Sequence, residues 1–177
     1  TSAEAIGQRA EYIRDGMDFD LWKKNCVRLI TEGSLSALHV MCTVNALCLD
    51  SLPALIDIMV EWKRTYGPDF PNFTLNILRF PSFQSAVVLP KRVKDDVALQ
   101  LSLKLKLFKD DLHEMEANQI SRLIEYLKTV DTPHTGADTL AKLQQDFKNF
   151  YKQYDTRRGK SFEKTFSNEI VTWYEQL

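Results

Sequence analysis

The sequence predicts an α/β chain in two parts: helix–strand units over residues 1–90 that belong to a parallel sheet or barrel, and a mainly α-helical extension over residues 91–177. Three observations predict it. Two strand-like apolar runs, 38–49 and 73–80, are separated by a helical crossover. Each run carries one apolar and one mixed polar face. After Pro90 such runs give way to long charged segments.

The first element is an amphipathic helix over 18–31, in which Trp22, Cys26, Leu29 and Ile30 recur at helical spacing between Asp18, a candidate N-cap, and Gly33. Residues 38–49 then form an almost unbroken apolar stretch with few charges, as in a strand buried within a parallel sheet. Ser51 is placed to cap a helix carrying Leu55, Ile58, Met59 and Trp62, which stops near Gly67-Pro68. A second strand runs to Pro81. Strand, helix, strand with so long a crossover implies parallel strands joined right-handedly.

The extension reads as four helices, 94–109, 114–130, 139–158 and 162–177, with breaks at Asp131-Thr132-Pro133 and Gly159. One segment is ambiguous. Leu99, Leu101, Leu103, Leu105 and Leu107 alternate with polar residues at strand period, yet Val97, Leu101, Leu105 and Phe108 share a helical face in a Leu- and Lys-rich context. Helix is the favoured reading. The series Phe147, Phe150, Tyr151 and Tyr154 reads as the buried stripe of one helix.

Bulk properties exclude several classes. The 177 residues are enough for one ordinary domain, 44% hydrophobic and 27% charged, with a formal net charge of -1 that argues against nucleic acid or an anionic membrane as partner. No apolar run approaches bilayer length and no secretory signal is present, so a cytoplasmic location is expected. Cys26, Cys42 and Cys48 fit buried reduced thiols and no zinc or cluster spacing. His39, His113 and His134 lie far apart, and no GxGxxG, P-loop, HExxH or GxSxG is found. Arg157, Arg158 and Lys160 form a short basic run that reads first as a solvated loop and second as a contact for a phosphate or nucleic acid. The opening Thr1 suggests an excerpt of a longer protein, although proteolysis would explain it equally.

Strand alternation locates the candidate chemistry. Leu38, Val40, Cys42 and Val44 fall on one side of the first strand, with His39, Met41, Thr43 and Asn45 on the other. The second strand divides Phe73, Leu75 and Ile77 from Thr74, Asn76 and Leu78. If helices cover the apolar side, the polar side lines a lumen, and ligands of such folds sit at the strands' C-terminal ends. Thr43, Asn45, Leu78 and Arg79 then lie near the mouth. His39, Thr43 and Asn76 could also be satisfied interior polar residues.

These residues carry a family resemblance. Ser2, the run Ala10-Glu11-Tyr12-Ile13-Arg14-Asp15-Gly16, Asp18-Phe19 and Asn25 resemble the segment after the fourth barrel strand of radical SAM enzymes, especially those with twitch or SPASM-like extensions. Thr43-Val44-Asn45 with Leu52 and Leu55 looks like their fifth unit, and Leu78-Arg79-Phe80-Pro81-Ser82-Phe83-Gln84-Ser85 with Leu89-Pro90 like their sixth strand and exit loop. Tyr154-Asp155-Thr156-Arg157-Arg158-Gly159-Lys160 and Phe162 are similar to the tail of that subgroup. The resemblance implies the late strands of a partial (β/α) barrel, with Ser2 at the ribose and Arg14 at the carboxylate of S-adenosylmethionine, and Leu78 beside the adenine.

The resemblance also implies a 4Fe-4S cluster on a CxxxCxxC loop, which this chain lacks. The cluster is therefore expected only in a missing N-terminal part, and the chain alone is expected to be inactive. In the parent enzyme the cluster would reduce the cofactor to a 5′-deoxyadenosyl radical that abstracts hydrogen from an unidentified substrate. An unpaired sheet edge would invite association with another copy or with the missing half. Two other readings remain open: a non-catalytic α/β interaction domain, and an intact small enzyme whose site goes unrecognised.

Overall fold

A computed structural model describes residues 1–131, 133 and 139–177. The predicted break at Thr132 and the histidine at 134 lie outside the described residues. The elements run α1 (Gly7–Ile13), α2 (Phe19–Glu32), β1 (His39–Val44), α3 (Leu52–Tyr66), β2 (Asn72–Ile77), α4 (Lys91–Leu107), α5 (Glu114–Thr129), α6 (Leu140–Arg158), α7 (Phe162–Thr165) and α8 (Asn168–Gln176). Short 3-10 turns at Leu49–Ser51, Ser82–Gln84 and Ala86–Val88 connect them. The chain is α/β and mainly helical around a small parallel sheet; a closed or partial barrel is not formed by these two strands alone.

β1 and β2 pair in parallel from His39 opposite Asn72 to Val44 opposite Ile77. Residues 1–3 extend this sheet: Ser2 bridges Met41 in parallel, with Met41 N donating to Thr1 O (3.0 Å) and Ala3 N to Met41 O (3.3 Å). The order across the sheet is thus residues 1–3, β1, β2. Both strands are shorter than the apolar runs predicted; beyond β1, Ala46, Leu47, Cys48 and Leu49 are buried in a turn rather than in a ladder.

Among the described residues, helices cover one side of the sheet. Val40, Cys42, Val44, Phe73 and Leu75 join Leu52, Leu55, Ile56 and Met59 of α3, Val97 and Leu101 of α4, Ile120 and Leu123 of α5, and Phe147 of α6 in a single core. That core spans the expected boundary at residues 90 and 91, so both segments are packed as one body. A smaller cluster of Cys26, Leu38 and Trp62 lies where α2 meets α3, with Trp22 stacked on Trp62.

Local signals account for most boundaries. Asp18 caps α2 by accepting from Leu21 N at 2.8 Å. Gly159 ends α6 in the left-handed region at φ 62°, which costs glycine no Cβ clash. Residues 91–107 are helical, with Val97 and Leu101 buried and Leu99, Leu103 and Leu107 exposed, so the alternating leucines divide between two faces of one helix.

Two expectations need correction, and one helix is new. Ser51 does not cap α3; its hydroxyl accepts from Ile6 N at 3.1 Å, while Pro53 in the first turn removes one donor that would need a cap. The predicted helix 162–177 is two helices, since Phe166 turns extended to stack its ring on Phe162 and edge onto Tyr12. The short helix α1, in a segment read only as a family match, was not anticipated.

The outer edge of β2 is not left bare. Glu116 Oε1 accepts from Phe73 N at 3.0 Å, Gln119 Oε1 accepts from Leu75 N, and Arg122 donates to Leu75 O at 3.2 Å. Spaced three apart on α5, these side chains stand where a neighbouring strand would. Glu116 also accepts from His113 N (2.9 Å) and pairs with the buried Lys63 (3.2 Å), closing the start of α5 on the same carboxylate.

Candidate functional site

Parallel register aligns side chains in rows across the sheet. Ser2, Met41 and Thr74 form one row of the uncovered face, and Glu4, Thr43 and Asn76 the next, toward the C-terminal ends of the strands. β1 follows the predicted alternation: His39, Met41 and Thr43 are exposed while Val40, Cys42 and Val44 are buried. This face meets solvent rather than an enclosed lumen, and Met41 is 49% exposed on it. His39 Nε2 lies 3.2 Å from Thr74 Oγ1 across it.

The second row holds a residue that sequence reading missed. Glu4 is buried, and its carboxylate takes both ends of the Arg14 guanidinium fork, with the Nε contact at 2.6 Å. Where the ladder of residues 1–3 ends, Thr43 N points to the same carboxylate at 3.5 Å. Glu4 raises the Arg14 pKa further above its ordinary value. The only sequence signal was positional: Glu4 stands two residues after Ser2, hence on the same face.

The six expected site residues fare differently. Ser2 and Thr43 sit in neighbouring strands on the open face, and no partner binds their hydroxyls among the described residues. Arg14 reaches that face, although Glu4 occupies the fork assigned to a cofactor carboxylate. Asn45 serves its own turn: its Oδ1 accepts from Leu47 N (2.9 Å) and Cys48 N (3.2 Å), and its amide donates to Thr43 O (3.0 Å). Leu78 is half-buried and its N–H is bound to Val44 O at 2.9 Å. Arg79 is exposed beyond the strand end, where its charge acts on Tyr126; the adjoining Phe80 is 80% exposed.

Two hollows adjoin the strands. A groove of about 610 Å³ runs between the open face and α5, lined by Thr74, Asn76, Glu114, Met115, Asn118, Gln119 and Arg122. At the C-terminal ends, Tyr12, Ile13, Asn45, Leu47 and Gln84 border a cavity of about 240 Å³ walled by Phe150, Tyr151 and Tyr154 of α6. α6 is tied over this end: Tyr12 Oη donates to Asp155 and Tyr154 Oη to Tyr12 O, both at 2.8 Å. Burial, reinforced by the hydrogen bond to Asp155, drives the Tyr12 pKa far up, so the phenol stays neutral.

The cysteines offer no cluster site. All three are buried free thiols, and burial pushes Cys26 up to about 11, Cys48 up to about 12 and Cys42 higher. Among the described residues no group of three His, Cys, Asp or Glu side chains converges as metal ligands, and no helix is long and apolar enough to cross a membrane. Comparison with protein families, curated proteins and solved structures returned no match.

Proposed function

We propose that the chain forms the late strands of a radical SAM enzyme's partial (β/α) barrel and contributes part of its S-adenosylmethionine and substrate pocket. The observation that carries this reading is the one-sided sheet. Parallel sheets are ordinarily covered on both faces, and helices on one face with ligand-binding residues on the other suit one wall of a barrel. Here three parallel segments in chain order bear helices on the apolar face alone and open the Ser2 and Thr43 rows on the other.

Residues on that face fit the cofactor's polar parts. Ser2 and Thr43 offer hydroxyls, and Asn76 an amide, for the ribose and the amino-acid end. Leu78 supplies an apolar contact for the adenine, Asn45 shapes the turn beside it, and Arg79 stands at the rim. Arg14 binds a carboxylate already, that of Glu4, so it would position Glu4 or exchange partners when the cofactor enters. When bound, S-adenosylmethionine would supply its sulfonium-linked adenosyl group. The groove along α5 would take part of the substrate.

The cysteines do not fit a 4Fe-4S cluster, so no reductive step is assigned to these residues. Titrating millimolar S-adenosylmethionine into the 15N-labelled chain tests the reading. Amide shifts confined to Ser2, Thr43, Asn45 and Leu78 are expected; no shifts, or shifts scattered over α6 to α8, would defeat it. Anaerobic incubation with iron and sulfide should leave the chain without cluster absorbance.

One observation favours a second reading, a non-catalytic interaction domain. Leu99, Leu103 and Leu107 expose an apolar stripe on α4, away from the open sheet face in sequence and with no cover among the described residues. A partner that occupied this stripe without cofactor dependence would support it.

A further inference from the structure

The cavity at the strand ends has a second lobe with different chemistry. Phe150 and Tyr154 line both the inner cavity of about 240 Å³ and an outer cleft of about 320 Å³, which continues to Gln153, Arg157 and Arg158. On α6, positions 150, 153, 154 and 157 follow one helix face, so an aromatic strip leads within two turns to a guanidinium. The rings of Phe150 and Tyr154 are near-parallel, at 17° and 6.4 Å between centroids. Phe83 packs against Phe150 at 5.2 Å and holds it, although Phe150 stays 41% exposed.

The charges at the outer end are unequal. Asp15 is bound by Arg158 (2.8 Å) and Lys160 (3.0 Å), and Asp155 by the Tyr12 hydroxyl and Phe162 N. Both nearby carboxylates are therefore engaged, and Arg157 has no anionic partner among the described residues. The inner lobe adds side-chain amides: Gln84 lines it and hydrogen-bonds Tyr151.

We propose that this two-lobed cleft binds a nucleoside 5′-monophosphate group, its base against the Phe150 and Tyr154 rings and its phosphate on Arg157. Aromatic faces stack any base, and a guanidinium binds phosphate through paired N–H donors. The site does not depend on the barrel reading. S-adenosylmethionine has no phosphate, so the anion it could offer Arg157 is its carboxylate.

The test is calorimetric titration of the whole chain with AMP, adenosine, inorganic phosphate and S-adenosylmethionine separately. AMP is expected to bind more tightly than adenosine or phosphate. Arg157→Ala should weaken AMP by about tenfold or more while leaving adenosine within about twofold, and Arg157→Lys should recover part of the loss. Phe150→Ala should weaken both AMP and adenosine. Both side chains are exposed, and an unchanged thermal unfolding curve verifies that the variants fold. No AMP binding, equal affinity for AMP and adenosine, phosphate binding as tightly as AMP, or indifference of AMP to Arg157→Ala would each overturn the proposal.

Discussion

The two flanks of the sheet are each finished by a buried glutamate, and the two glutamates are held differently. Glu116, beside β2, takes a strand N–H, a helix-start N–H and Lys63, whose side chain is 2% exposed. Glu4, beside β1, takes Arg14, whose side chain is 40% exposed, and only a long contact from Thr43 N. The first carboxylate is locked by buried groups, among them Lys63, whose ammonium also donates to Pro68 O at 2.6 Å. The second is held by a cation that can turn outward, at the flank where the candidate cofactor residues lie. Equivalent structural tasks have thus been given a fixed solution on one side and an exchangeable one on the other.

That contrast can be broken experimentally. Glu116→Ala should have the largest effect, about 3–5 kcal/mol in urea unfolding, because it leaves the buried Lys63 without its counter-ion and Phe73 N without an acceptor. A loss below about 1 kcal/mol would show that the flank is held by packing instead.

Alkaline pH should come next. The buried thiols and the phenols of Tyr12, Tyr151 and Tyr174 have raised pKa values when folded, so the unfolded chain loses protons first. The stability they contribute is intact below about pH 9, the ordinary thiol value, and is lost as pH rises through 11 and 12. Lys94 works the other way, since burial lowers its pKa and deprotonation relieves that cost. A urea midpoint that is no lower at pH 10 than at pH 8 would show that Lys94 prevails.

Glu4→Ala should cost less than its counterpart, about 1–2 kcal/mol, because Arg14 can be hydrated once released. Adding Arg14→Ala to it should change stability by less than about 0.5 kcal/mol further. At the small end, Thr43→Ala and Asn76→Ala, on the open face, should each stay within about 0.5 kcal/mol. Losses of 2 kcal/mol or more at these positions would mean that the face is structural rather than vacant for a ligand.

Local rules made much of the scaffold legible. Asp18, Gly67, Gly159 and the alternation from Leu38 to Val44 each express short-range sterics or hydrogen bonding that a sequence displays directly. Ser51 misled because its hydroxyl answers a donor 45 residues away, at Ile6, and no local pattern records that. The same reason hid the Glu4–Arg14 pair, in which two ordinary charged residues meet only after α1 folds back. The aromatic series on α6 was read as buried throughout, whereas Phe147 and Tyr151 are buried and Phe150 is not. Periodicity identifies a face but not whether another element reaches all of it.

The row of α5 side chains along β2 gives the sheet a direction of growth. With Phe73 N, Leu75 N and Leu75 O already bonded, an incoming strand from any source would have to displace these side chains to pair there. Among the described residues, the flank beside residues 1–3 has no such row of side chains along it.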